Sequence, residues 1–229
     1  MFWEAGAFQG FILLAILMLL FNVDGGTEKR RKVKVALFAA TILTTQSTTG
    51  YILLIILILG CWGKIQRLFG THNGKLKIGL TLLLGMGVLY IIFSSGNISA
   101  KFNSNNVSTI VRFSDIFGGV ALCLKGGLIG LGETTTRDAA RIIFRVNSDD
   151  SVGLLSMIYT YGLLFGMYYI GLMCCGIKKF FDSANTIEYM ILLIIFFVLH
   201  MTEGLWCLPI YLLIPLVGIV SKGGYYSQR

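Results

Sequence analysis

The sequence predicts an all-α integral membrane protein, and three observations carry that prediction. Of 229 residues, 55% are hydrophobic and only 13% charged, and mean hydropathy is +0.79. The apolar residues gather into runs such as "GFILLAILMLLF" and "YMILLIIFFVLH", which are apolar on every face, as helices that meet lipid are. The period-two alternation of a membrane barrel is nowhere visible. A spanning helix needs about 20 apolar residues, fewer where its ends are buried in protein. On that measure the chain reads as a single polytopic domain over residues 1–229, with about seven transmembrane helices and one long external loop.

The elements follow in order. A first helix is expected near 6–23, then the basic stretch "DGGTEKRRKVK" at 24–34. Two short apolar arms, near 34–46 and 50–63, flank the uncharged "TTQSTTG" of residues 44–50. Read as one helix, those arms would be roughly 45 Å long against a hydrocarbon core of about 30 Å. One helix would also put Lys29, Arg30, Arg31, Lys32 and Lys34 on the face opposite Lys64, Arg67, Lys75 and Lys77, against the positive-inside rule. Two arms meeting at "TTQSTTG" keep both basic clusters inside and set the hydroxyl-rich turn at or just below the outer surface. The polar "KIQRLFGTHNGK" at 64–75, a helix near 76–94 and the long loop 95–150 come next. Helices near 152–176, 186–202 and 205–221 complete the chain. Carried forward, the parity leaves the short basic loops on one side and places 95–150 and the amino terminus outside.

Charge and cysteine content exclude several classes. The net charge of +8 comes from Lys and Arg just outside apolar runs, where topology and anionic head groups account for them; no nucleic-acid partner is expected. Cys61, Cys174, Cys175 and Cys207 lie in or at the ends of apolar segments and Cys123 in the loop, so they form neither a disulfide framework nor a metal set. His72 and His200 are far apart in sequence. No metal and no cofactor are expected. Met1 is followed at once by "FWEAGAFQG", without the basic region or cleavage site of a signal peptide.

Chemistry concentrates in the outer loop. In "TTTRDAARIIFRV", Arg137, Arg141 and Arg145 recur every four positions and form one column on a helix. Like charges at that spacing cost roughly 0.2–0.5 kcal/mol per pair, so a facing anion would repay them. The planar guanidinium suits phosphate or diphosphate. The alternative is an amphipathic helix on the head groups, with Ile142, Ile143 and Phe144 in the interface. Gly126, Gly127, Gly130 and Gly132 in "KGGLIGLGE" do not have dinucleotide-binding spacing; they let the loop bend or dip into the membrane. Glu133, Asp115 near Arg112, and the solvated Asp149 and Asp150 supply carboxylates on the same side. Glu4 and Glu203 lie at outer helix ends, with His200 one turn before Glu203; either site is functional or a satisfied interfacial pair. Gly162 and Gly166 in "TYGLLFGMYYIG" read as close helix packing.

Three stretches together resemble a known family. "FWEAGAFQGF" at 2–11 resembles the Phe-Trp-Glu-Pro-Gly-x-Phe-Gln signature of O-antigen polymerases of the Wzy type, with Ala5 in place of the usual Pro. "TTQSTTGYI" resembles their Ser/Thr-Gly turn after two short helices. The third match is a long external loop with arginines and a G-x-G element, ending before a helix that carries "YGLLFG". The resemblance covers nearly all of this chain but only the carboxyl-terminal part of a family member, so a partial chain is expected. O-antigen ligases carry a His in the large external loop and this one has none, which favours polymerase.

The resemblance implies a glycosyltransferase of the bacterial inner membrane that polymerises undecaprenyl diphosphate-linked repeat units for O-antigen, lipopolysaccharide or capsular polysaccharide biosynthesis. Flippase and chain-length regulator proteins would be its partners alongside membrane lipid. Arg112, Arg137, Arg141 and Arg145 would hold the diphosphate, and Glu4, Asp115 or Glu133 would deprotonate the acceptor. Gln46, Ser47, Thr48 and Glu203 would bind glycan. The alternatives are ligase-like glycosyltransfer, and a non-enzymatic transporter or flippase of lipid-linked sugars.

Overall fold

A computed structural model describes residues 5–21, 23, 27–45, 47–70, 107–136, 138, 153–202, 204–205 and 208–219; side chains are described except at Ala5, Thr48 and residues 107–115. The described residues are mostly helical and include no strand. The helices are α1 (Ala5–Leu20), α2 (Glu28–Thr44), α3 (Thr48–Gly60), α4 (Trp62–Phe69), α5 (Val107–Gly126), α6 (Gly153–Tyr161), α7 (Leu163–Phe180), α8 (Thr186–Thr202) and α9 (Pro209–Ile219). They fall into two compact units, Met1–Ile110 with Ser183–Ile195, and Val111–Asp182 with Phe196–Arg229.

In the first unit α1 is the central helix. It is apolar all round, and Leu13, Ile16 and Leu17 are fully buried, meeting Ile42 of α2 and Tyr51, Leu53 and Leu57 of α3 in the set of best-buried side chains. Such burial stabilises by about 1.5–3 kcal/mol per side chain against water; between helices in lipid, dispersion and close packing take over that role. α2 begins outside this core with exposed Lys29, Arg30 and Lys34 and an exposed Glu28–Lys32 ion pair of 2.9 Å. α3 ends at Cys61, where the chain bends by 76° into α4. Residues placed by sequence in the polar stretch from 64 onward therefore begin as helix, because Trp62, Ile65, Leu68 and Phe69 take one side of a turn while Lys64, Gln66 and Arg67 take the other.

Lys64 fastens this corner. Its ammonium donates to Ser183 O at 2.8 Å and Ser183 Oγ at 2.9 Å, and sits 4.6 Å from the centre of the Phe21 ring, a cation–π contact. α8 opens with a reciprocal capping box: Asn185 N–H donates to Glu188 Oε2 at 3.0 Å, and Glu188 N–H donates to Asn185 Oδ1 at 2.9 Å. That explains why a carboxylate, Glu188, is buried.

In the second unit α7 and α9 approach backbone to backbone. A Cβ at Gly176 would overlap Ile214 O, and one at Gly218 would come within 2.7 Å of Leu172 O. Lys179 Nζ donates to Gly218 O at 2.6 Å. The opposite side of α7 is apolar and open: Leu164 is 60% exposed, Met167 63% and Tyr168 60%.

Two expectations are corrected in this unit. The helix placed over 152–176 is broken at Gly162, whose φ of 95° and ψ of 161° belong to a region that only glycine occupies readily. The stretch 95–150, placed as loop, contains a helix of 20 residues, Val107–Gly126; a Cβ at Gly119 would lie 3.1 Å from Leu155 Cδ1, so the glycine permits close packing on α6. The helix placed near 76–94 lies outside the described residues.

Among the described residues, Leu163–Phe180 alone is long and apolar enough to cross a membrane, and Thr49–Gly60 with Trp62–Phe69 qualifies only as a bent pair. Gly6–Leu20, Ile116–Gly126, Thr186–Thr202 and Pro209–Ile219 are apolar but shorter.

Candidate functional site

The hydroxyl-rich turn joins α2 to α3, and its residues divide by what their hydroxyls do. Thr44 Oγ1 donates to Thr41 O and Thr45 Oγ1 to Ile42 O, each at 2.7 Å; both donors close the end of α2. Tyr51 adds a cross-link, its hydroxyl donating to Leu43 O at 2.8 Å. Ser47 stands at the N-cap of α3 in extended backbone, φ −92° and ψ 122°, yet its side chain makes no cap bond. Ser47 thus does not supply the side-chain oxygen that usually receives the first amides of a helix.

Gln9 of α1 faces that turn. Its side chain is fully buried, and neither Oε1 nor Nε2 has a hydrogen-bond partner among the described residues. A Cβ at Gly50 would overlap Gln9 Oε1 and lie 3.3 Å from Ile42 Cγ2, so Gly50 is what makes room for the amide between α1, α2 and α3. Leaving a buried polar group unpaired costs about 1–3 kcal/mol, and a group so placed calls for a polar occupant or a functional reason. The stretches "FWEAGAFQG" and "TTQSTTG", far apart in sequence, meet at this point. Gln9 is not among the residues the sequence singles out beside Glu4; its signal is a Gln inside an otherwise apolar helix.

The other candidates are distributed unevenly. Glu4, Gln46, Arg137, Arg141, Arg145 and Glu203 lie outside the described residues. Thr48 opens α3, and Arg112 and Asp115 lie on α5 three residues apart, their side chains undescribed. Glu133 starts a helical turn at 133–136 with its side chain exposed. Of the substrate-binding set, Ser47 is the residue whose side chain is described, half-buried beside the turn that Gln9 faces.

The glycines of "KGGLIGLGE" have a different task. Gly127, Gly130 and Gly132 all adopt positive φ and lead the chain across the break at Gly162. Leu131 N–H donates to Tyr159 O at 2.8 Å and Gly132 N–H to Thr160 O at 3.0 Å, closing the end of α6. Gly127 O accepts from Leu163 N–H at 3.2 Å and Leu128 O from Leu164 N–H at 3.3 Å, closing the start of α7. A Cβ at either Gly130 or Gly162 would run into the other segment's backbone. The loop supplies the hydrogen bonds that a broken helix loses.

His200 is buried on α8. Its Nδ1 lies 2.8 Å from Phe196 O and so carries the proton of that bond, and its Nε2 lies 3.1 Å from the Tyr169 hydroxyl. The Phe196 and Tyr211 rings stand 6.5 and 5.6 Å away. Sequence paired His200 with Glu203, which lies outside the described residues; the ring's two described hydrogen bonds go to Phe196 and Tyr169. No group of three or more His, Cys, Asp and Glu among the described residues could hold a metal ion.

Comparison with known proteins returned no matching family model, curated protein or solved structure.

Proposed function

We propose that this chain is a polytopic protein of the bacterial inner membrane, with about seven crossings, that polymerises undecaprenyl diphosphate-linked repeat units at the outer face. The observation that carries the reading is the meeting of Gln9 with Gly50: two of the three stretches that resemble a Wzy-type polymerase converge on one buried polar point that has no hydrogen-bond partner among the described residues. The exposed apolar face of α7 and the basic start of α2 support the membrane part.

In the reaction an acceptor hydroxyl attacks the anomeric carbon of the growing glycan. The bond from that carbon to the diphosphate oxygen breaks, undecaprenyl diphosphate leaves, and a carboxylate takes the hydroxyl proton. Glu4, Asp115 and Glu133 are the carboxylates proposed for that step; Arg112, Arg137, Arg141 and Arg145 would neutralise the leaving diphosphate. Gln46, Ser47, Thr48 and Glu203 would contact the glycan.

Transport of lipid-linked sugar is the rival. The helix ends at Gly162 bond to residues 127–132 and so are not the open ends that transporters with broken helices turn toward their cargo; activity separates the two readings. Purified protein supplied with lipid-linked repeat units should lengthen them; a change in sidedness without lengthening would sink the polymerase in favour of a flippase. In cells, Arg141→Lys with Arg145→Lys keeps charge but removes the bidentate fork, and normal polymer length in that double variant would remove the arginines from the mechanism.

A further inference from the structure

We infer that the first turn of α3, together with the Gln9 amide, binds a phosphate oxygen. α3 is a helix of 13 residues whose N-cap side chain makes no bond. Its first intrahelical bond is Tyr51 N–H to Ser47 O, at 3.1 Å, so the amides of residues 48–50 precede it and have no acceptor within the helix. Such a helix start carries a partial positive charge and several aligned donors, a combination that favours an oxyanion.

The second observation is independent of the helix. Gln9 is fully buried, without a hydrogen-bond partner among the described residues, and set directly against Gly50, the third residue of α3. Its amide presents a donor on one side and an acceptor on the other, exchanged by a half-turn about the last bond; with Nε2 forward it adds a donor to those of the helix. Nearby, the hydroxyls of Thr44 and Thr45 donate to α2 carbonyls and that of Tyr51 donates to Leu43 O. The glycine at position 50 lets the Gln9 amide approach the first turn of α3 this closely. A sugar hydroxyl would find partners here too, but the uncapped helix start adds electrostatic preference for a negative ligand.

This deepens the reading proposed above, since a lipid-linked diphosphate would then rest partly on α3 as well as on the arginines, but its test needs no polymerisation. Full-length protein in detergent is titrated calorimetrically with farnesyl diphosphate, inorganic pyrophosphate and neutral farnesol. The wild-type chain should bind a diphosphate and not farnesol. Gln9→Leu should weaken diphosphate binding by about tenfold or more with a melting temperature no lower than wild type, because it removes a buried unpaired amide. Gly50→Ala should weaken binding as well, its Cβ pushing the Gln9 amide aside. Tighter binding of farnesyl diphosphate than of pyrophosphate assigns the site to a lipid-linked ligand; equal binding assigns it to a free anion. Failure of the folded wild-type protein to bind either, or unchanged binding in Gln9→Leu, overturns the phosphate site. Binding intact while repeat units are not lengthened would instead reject the polymerase and leave the site standing.

Discussion

At Gly162 the ends of α6 and α7 bond to the backbone of residues 127–132, whereas at Gly50 the first turn of α3 faces a side-chain amide that bonds to nothing among the described residues. Both places bring a glycine against a neighbouring segment. In the first, glycine admits the hydrogen-bonding groups that finish the helix ends; in the second it admits a polar group and leaves it unfinished. Glycines alone therefore do not mark a site. What separates brace from site is whether the polar inventory closes.

The most damaging change should be Gly162→Ala, which forces a side chain into glycine-only backbone and into the backbone of residues 128–130. A loss of about 3 kcal/mol or more is expected, read as a collapse of the detergent melting temperature or as loss of the monodisperse peak. A mild phenotype would mean that the crossing is not a brace. Next is the coupling between Gln9 and Gly50. Gly50→Ala alone should cost about 1–3 kcal/mol, and adding Gln9→Ala should return about 1 kcal/mol of that loss, a non-additivity that melting of the four proteins in the cycle measures. Additive losses would place the two groups out of contact.

Tyr51→Phe should cost about 1 kcal/mol by removing the bond to Leu43 O, while leaving the phosphate test unchanged. The smallest effect should be at Glu28. Lys32, by hydrogen bond and charge, holds its carboxyl below the usual value of 4.5. A folded pKa below the unfolded one stabilises above about pH 4.5 and is lost as pH falls through the folded value. Because the pair is exposed, Glu28→Gln should leave the melting temperature unchanged at neutral pH and in high salt.

Much of the helical layout is legible in hydropathy. The apolar runs of α1, α3, α8 and α9 stand where sequence places them to within a few residues, and the pairing of α2 with α3 about a polar turn follows from charge sidedness. Asn185-x-x-Glu188 is likewise a readable capping box. The breaks are not legible. Gly162 and Gly166 share a spacing that reads as helix packing, and Gly166 does sit against Ile158, where a Cβ would come within 2.7 Å of Cγ1. Gly162 instead ends one helix and starts another, a role set by residues 127–132, more than a full loop away. Gln9 was hidden for a related reason: a single Gln in an apolar helix can face lipid head groups, water or a partner, and only the approach of Gly50 decides between them.

On the proposed membrane reading, the corner between α3 and α4 would have a mechanical consequence for the surrounding lipid. Thirteen residues give α3 a length of roughly 20 Å, well short of a hydrocarbon layer of about 30 Å. If α4, turned by 76°, floats along the cytoplasmic head groups, the far end of α3 stops roughly 10 Å below the opposite surface of that layer. Lipid adjoining a helix this short thins to meet it. The outer leaflet would dimple over the turn, and a long polyprenyl chain gliding through the membrane would find its head group lowered toward Gln9 without leaving the leaflet.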